Sequence, residues 1–232
     1  MKVTCFLPCR AGSERVKNKN TRQFAGIEGG LLKIKLDQLI RCSLIDSIVL
    51  STDDQKVIDV SKPYGNRIRI DNRPSELASS DASTDDLIRY VGKIISGPHI
   101  LWTHVTSPFT GEDIYTRAIN DYFSFIKTGK FDSLMSVTPL RVHVWDRKGE
   151  PVNYKRAEIR WPRSQQVDPL FEVNSAIFIN SRENYIRLED RIGLNPYLFE
   201  MDQTESLDID YEDDFLLAES IYRFRQSRQK LS

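Results

Sequence analysis

The stretch Val3-Thr4-Cys5-Phe6-Leu7-Pro8-Cys9-Arg10-Ala11-Gly12-Ser13-Glu14-Arg15, continued by Val16-Lys17-Asn18-Lys19-Asn20, sets the terms for the whole chain. Val3 to Leu7 reads as an apolar strand, and the segment after it carries one Gly to tighten a turn. A loop leaving the carboxyl end of a strand in this way aims backbone N–H groups and cationic side chains at one spot, which suits a triphosphate. Neither Gly-x4-Gly-Lys-Ser/Thr nor Gly-x-Gly-x-x-Gly follows this strand, so P-loop kinases and nicotinamide dehydrogenases lose their main support. A solvated basic turn is the plainer reading of the same residues. Other segments decide between the two.

Composition narrows the field. The chain has 232 residues with 40% hydrophobic content, enough to bury a core as one domain spanning residues 1–232 or at most as two small ones. Thirty-three Lys plus Arg balance thirty-three Asp plus Glu, so no net field favours nucleic acid or an anionic membrane, and any anion must be held locally. Apolar runs are only strand length and the amino terminus lacks a secretory pattern, which gives a cytoplasmic expectation with no membrane partner. Cys5, Cys9 and Cys42 have no His partners at metal spacing and read as buried thiols.

Hydrophobic periodicity alternates. Strands are expected near residues 2–8, 46–52, 67–71, 98–105, 131–138 and 174–180, with helices near 31–43, 54–64, 84–96, 112–127 and 211–228. Strands separated by helices of this length imply βαβ units and an α/β fold with a mostly parallel, doubly wound sheet. Ligands then sit at the carboxyl ends of the strands, where the basic loop, Thr52-Asp53-Asp54 and Thr106-Ser107-Pro108 all fall. One stretch resists the alternation. Residues 139–169 hold many Arg, Lys and Trp residues without a sustained period, and so long a structureless connection implies a functional flap or an arm that packs on another subunit.

Near the carboxyl end, Ser206-Leu207-Asp208-Ile209-Asp210 precedes the last helix. In an extended segment alternate side chains share a face, so Asp208 and Asp210 point one way while Leu207 and Ile209 point into the core. Two carboxylates on one side suit Mg²⁺, which takes one or two carboxylates plus water and phosphate oxygens. Asp210 capping the following helix is the alternative. Ser83 with Asp86 reads as a helix capping box, beside which Arg73 and the free N–H groups of the helix start could face a pyrimidine edge. Arg163-Ser164-Gln165 precedes Glu172-Val173-Asn174-Ser175, and an Arg there could hold a carboxylate bidentately or lie idle on a surface loop.

Taken in order, Arg10-Ala11-Gly12-Ser13-Glu14-Arg15 with Lys19-Asn20, Ser51-Thr52-Asp53, Arg73-Pro74-Ser75-Glu76-Leu77, Ala82-Ser83-Thr84, Thr106-Ser107-Pro108, Glu172-Val173-Asn174-Ser175 and Ser206-Leu207-Asp208-Ile209-Asp210 resemble the acylneuraminate cytidylyltransferase family over nearly the whole chain. The resemblance implies a Rossmann-like, three-layer fold of the nucleotide-diphospho-sugar transferase type. It implies transfer of CMP from CTP to the anomeric hydroxyl of a nonulosonic, sialic-acid-like keto sugar acid, with release of pyrophosphate and with Mg²⁺ as cofactor. Carried over residue by residue, nucleotide contacts fall on Arg10, Ser13, Lys19, Asn20, Arg73 and Ser83, and the metal pair on Asp208 and Asp210. Catalysis falls on Lys19, Arg10, Asp208 and Asp210, and acceptor contacts on His104, Arg163, Gln165 and Asn174. The stretch 139–169 takes the place of the arm that joins two copies in a homodimer, from which Arg141 or Lys155 would reach the neighbouring site. Many sialic acid members have Gln where this chain has His104, which leaves the sugar open among sialic, legionaminic, pseudaminic and related acids. A catalytically impaired CTP-binding protein and a CMP-Kdo-type synthetase are the alternatives.

Overall fold

The computed structural model describes residues 1–12, 15–79 and 81–229. Ser13, named above for the phosphates, lies outside them. Chain order runs β1 (Val3–Pro8), α1 (Gly30–Arg41), β2 (Ile45–Thr52), α2 (Gln55–Ser61), β3 (Ile68–Asn72), α3 (Ser75–Ala78), α4 (Thr84–Ile94), β4 (His99–Trp102), α5 (Glu112–Thr128), β5 (Ser133–Leu140), β6 (Leu170–Ser181), α6 (Arg182–Arg187), β7 (Pro196–Glu200) and α7 (Glu212–Gln229). The strands form one sheet in the order β3-β2-β1-β4-β6-β5-β7. Every strand but β6 runs in one direction, since β6 pairs antiparallel with both β4 and β5.

Alternation along β1 explains the layers. Val3, Cys5 and Leu7 enter one apolar cluster with residues of α1, α5 and α7, while Phe6 enters another with Ile88, Val91, Trp102, Phe178 and Tyr185 under α4 and α6. Helices therefore cover both faces, as a mostly parallel sheet requires to shield its apolar strands from water. All three cysteines are buried free thiols, as the composition suggested. No helix among the described residues is long and apolar enough to cross a membrane.

Three departures from the sequence patterns have local causes. The expected helix at 54–64 divides into α2 and a 3₁₀ turn from Lys62 to Arg67, because Pro63 lacks the N–H to continue and Gly65 turns at φ 57°. The expected strand at 98–105 stops at Trp102, beyond which the Thr103 hydroxyl donates to the Ala176 carbonyl. β7, short and led by a proline, carries too little periodic signal to stand out.

The stretch between β5 and β6 is irregular but not unstructured. Asn153, 3% exposed, donates to the carbonyls of Val142 at 2.8 Å and Asp168 at 3.0 Å and accepts from the Val144 N–H at 3.1 Å. Arg156 lies over the rings of both Trp145 and Trp161. One amide thus holds three remote backbone groups, so Asn153→Ala orphans them together. The expected cost is about 1–3 kcal/mol, because unsatisfied backbone groups lose both water and partner. Limited proteolysis should then nick residues 141–169 first while the sheet stays protected; an unchanged cleavage pattern would show that the amide does not hold the arm.

Candidate active site

The basic loop is built by bonds to its neighbours. Gly12 turns at φ 73°, a conformation only glycine adopts freely, and Asp53 at the end of β2 accepts the Ala11 N–H at 2.7 Å. Asn18, also left-handed at φ 54°, gives its carbonyl to the N–H groups of Thr21 and Arg22. The Asn20 carbonyl accepts the Leu32 N–H at 2.9 Å, tying the loop to the start of α1, and its side-chain amide donates to the Arg10 carbonyl at 3.3 Å. Lys19 then reaches across the sequence: its Nζ donates to the Ile209 carbonyl at 2.7 Å. Arg10, Arg15, Lys19, Asn20, His104 and Thr106 line one cavity of about 330 Å³.

The acidic segment is pinned by its apolar member. Ile209 is fully buried and its N–H donates to the Thr106 carbonyl at 3.0 Å, which holds Asp208 and Asp210 on either side. Asp210 does not cap α7. Asp214 accepts the N–H groups of Asp210 and Tyr211, and the Asp210 carboxylate pairs with Arg15 at 2.9 Å. Asp208 is mostly enclosed, and its Oδ1 is buried without a donor. Burial above all, reinforced by the charge of Asp210, raises the Asp208 pKa, with Thr106 and the charge of Lys19 opposing the shift. Lys19 moves down, chiefly through burial, while Asp210 and Asp208 oppose the shift. The two carboxylates line a second cavity of about 540 Å³ with Thr138, Glu172, Asn174 and Gln203, and among the described residues no Lys, Arg or His lines it.

His104 stands at the cationic cavity in a defined state. The Trp102 indole N–H can only donate, and it meets His104 Nε2 at 3.0 Å. Nε2 therefore accepts, and the neutral ring carries its proton on Nδ1. Burial first, then the charges of Arg191 and Lys35, lower the His104 pKa to about 3, so the ring stays neutral at ordinary pH and offers one N–H.

The remaining residues named from sequence divide. Asn174 sits at the second cavity, its Oδ1 accepting from Ser136 Oγ at 2.6 Å and one amide N–H donating to Thr138 Oγ1 at 3.1 Å, so a single amide proton is left for a ligand. Arg73 is buried, its guanidinium donating to Ser51 Oγ and the Ser51 carbonyl at the end of β2. Ser83 is the N-cap of α4, accepting the Asp86 N–H at 3.0 Å and donating its hydroxyl to the Asp86 carboxylate at 2.7 Å, which is half of the reciprocal box read from the sequence. Arg163 and Gln165 are exposed on the arm and line neither cavity. Reasoning from residues passed over Arg15 as a partner of Asp210 and Asp53 as the brace of the loop. Asp53 had a signal in its place at the end of β2, beside the strand that feeds the loop.

The N-acylneuraminate cytidylyltransferase of Streptococcus agalactiae serotype III is 26% identical over 227 residues, 93% of this chain and 52% of that one. The pseudaminic acid cytidylyltransferase of Campylobacter jejuni serotype O:2 is 24% identical over 233 residues, 96% of this chain and 97% of that one. This chain spans about half the length of the N-acylneuraminate enzymes it matches. A solved CMP:2-keto-3-deoxy-manno-octonic acid synthetase complexed with CTP superposes with a TM-score of 0.69 at 14% identity, covering 97% of this chain and 100% of that one, a likeness of fold. The sequence pattern of cytidylyltransferases matches residues 4–231, from β1 through α7, and with it the chain that folds a basic loop onto an acidic doublet belongs to the cytidylyltransferase family.

Proposed function

We propose that this protein transfers CMP from CTP to the anomeric hydroxyl of a nonulosonic sugar acid and releases pyrophosphate. The observation that carries the reading is the convergence of Lys19 and Arg10 from one end of the chain with Asp208 and Asp210 from the other, joined by the bond from Lys19 to Ile209. Phosphate oxygens occupy the cationic cavity around Arg10 and Lys19, and the acceptor lies along the carboxylates, one end toward His104 at that cavity and the other against Asn174 at the second. The acceptor oxygen attacks the α-phosphorus in line, the bond to the β-phosphate oxygen breaks, and the hydroxyl proton passes to solvent. Such transfer needs positioning and charge stabilisation rather than a protein nucleophile. Lys19 and Arg10 stabilise the charge growing on the leaving pyrophosphate, and the Nδ1–H of His104 donates to the acceptor.

The residues fit a hard cation. Asp208 Oδ1 is buried with no donor, a second carboxylate stands two residues away, and among the described residues no third acidic, His or Cys side chain closes the site. That leaves positions for water and phosphate, as Mg²⁺ prefers. Magnesium bound there would supply positive charge to the phosphate oxygens. Asp208 and Asp210 would hold it, in place of the pair that Asp210 makes with Arg15.

Among the described residues no cationic side chain lines the second cavity, although the proposed acceptor is a carboxylate. Arg141 or Lys155 of a second copy supplies the charge in a homodimer whose arms cross, the apolar contact coming from Val142, Ile159 and Trp161, which lie exposed on the arm. The chain works as a single domain in the cytoplasm, where its thiols stay reduced. A pyrophosphate-release assay with CTP and Mg²⁺ against sialic, legionaminic, pseudaminic and 3-deoxy-octulosonic acids, followed by mass identification of the product, tests the reading. Pyrophosphate without any CMP-sugar, or no release with any acid, would overturn it.

Trp102→Phe isolates the role of His104. It keeps an aromatic ring but removes the indole N–H, so the imidazole no longer has a fixed tautomer. The KM for the acceptor should rise several-fold while that for CTP stays within twofold, and ¹⁵N spectra should show the His104 ring shifting from one tautomer to a mixture. An unchanged tautomer and acceptor KM would remove His104 from acceptor recognition.

A further inference from the structure

Lys35 on α1 is completely buried, yet among the described residues no carboxylate hydrogen-bonds or ion-pairs with it. Its Nζ meets the carbonyls of Ser107 at 2.8 Å and Thr110 at 3.1 Å and the hydroxyl of Tyr115 at 2.8 Å. Counting protons fixes its state. The Thr103 hydroxyl spends its only proton on the Ala176 carbonyl, so the Tyr115 hydroxyl, 2.8 Å away, must donate to Thr103 Oγ1. Tyr115 then faces Lys35 only as an acceptor, as both carbonyls do. Three donated bonds require an ammonium, because a neutral amine has two protons.

A buried ammonium without an ion partner is costly, and a methionine or leucine would fill the space without that cost. Burial accordingly lowers the Lys35 pKa to about 7, with the Cys5 thiol and Asp208 opposing the shift. What the charge holds is specific. Two of its bonds, with that of Gln38 to the Pro108 carbonyl at 2.7 Å, grip the turn between β4 and α5. That same turn supports the acidic segment twice: the Thr106 carbonyl accepts the Ile209 N–H at 3.0 Å, and Thr110 Oγ1 donates to the Glu205 carbonyl at 3.1 Å.

We propose that Lys35 is a positioning residue: its buried, fully bonded side chain sets the Thr106–Thr110 turn, and through Thr106 the placing of Asp208 and Asp210 opposite Lys19. The catalytic consequence rests on the cytidylyl-transfer reading; the mechanical coupling from Lys35 to Ile209 does not. Lys35 touches neither cavity and acts only through the turn.

Lys35→Met in the full-length protein, with hydrogen exchange read at single amides, separates these. The Ile209 amide should exchange at least tenfold faster than in the wild type while the amides of Phe6 and Leu101 in the sheet keep their protection. kcat should fall at least thirtyfold while the Kd for CTP, measured without added metal, stays within tenfold, because Asp53 still braces the backbone of the basic loop and only the bond from Lys19 to Ile209 depends on the turn. A residue serving general stability alone would loosen sheet and turn together and leave kcat per folded molecule unchanged, and that result overturns the proposal. If Lys35→Met does not fold, Tyr115→Phe, which removes one acceptor of Lys35, should raise Ile209 exchange at least threefold; wild-type protection there would overturn it equally. Absence of turnover in the wild type would count against the functional reading and leave the exchange measurement to decide the coupling.

Discussion

Lys19→Ala is expected to lower CTP turnover by about 10²–10³-fold, the loss measured for removal of one preorganised donor from a developing negative charge, roughly 2.7–4 kcal/mol. The expectation follows from how the side chain is held. A free lysine would have to be ordered at each turnover, whereas Lys19 is half enclosed and locked by its bond to the Ile209 carbonyl, with both carboxylates in range to favour its charge. Its orientation is set before substrate arrives, so its full effect reaches the transition state. The fold itself loses only one partly buried hydrogen bond, of order 1 kcal/mol, so the melting temperature should move by a few degrees at most. Steady-state turnover and a melting curve on the same preparation check both halves. Turnover within threefold of the wild type would remove Lys19 from the reaction.

Asp208→Asn is expected to abolish magnesium-dependent turnover and yet make the protein more stable. The sign follows from its raised pKa. Folding encloses this carboxylate, leaves Oδ1 without a donor and places Asp210 nearby, so the ionised form is disfavoured in the folded chain relative to the unfolded one. A carboxyl whose pKa rises on folding contributes stability below its unfolded pKa, and that contribution is lost as pH rises through the folded value. At neutral pH the ionised group is therefore a net strain, relieved when asparagine removes the charge, by about 2–4 °C for each kcal/mol recovered. Asp210→Asn should also stop magnesium-dependent turnover, but with no gain in melting temperature, since its carboxylate is half exposed and already paired with Arg15. Retained activity in either variant at ordinary magnesium, or a melting temperature that falls for Asp208→Asn, would contradict the assignment of the pair.

Local signals carried the parallel part of the sheet. Val3 to Leu7, the helix that starts after Ser83 and the alternation around Ile209 each state their structure in neighbouring residues, because periodicity and caps are short-range effects. The direction of β6 is not stated locally: its residues suit a parallel or an antiparallel neighbour, and only pairing with β4 and β5 settles it. The internal order of residues 139–169 escaped for a similar reason. It depends on one Asn that serves residues on three sides, which leaves no period to detect. At the site, the charged ends of the chain were legible as chemistry, but not their mutual bonds. Lys35 was invisible, since a lysine in the mostly apolar face of a helix looks like any side chain that reaches water, and only the closed shell around it shows otherwise.

The reversed strand has one more consequence, for engineering. Because β6 runs against its neighbours, its first residues lie beside the last residues of β5, Leu140 facing Leu170 and Thr138 facing Glu172. The cleft wall and the arm are two ends of a single two-stranded stalk, and the register that supports Asn174 is complete before the arm begins. Segments exchanged between Leu140 and Leu170 would therefore replace whatever the arm meets while the wall beside Asp208 keeps its shape, making this ribbon a natural seam for building chimeras.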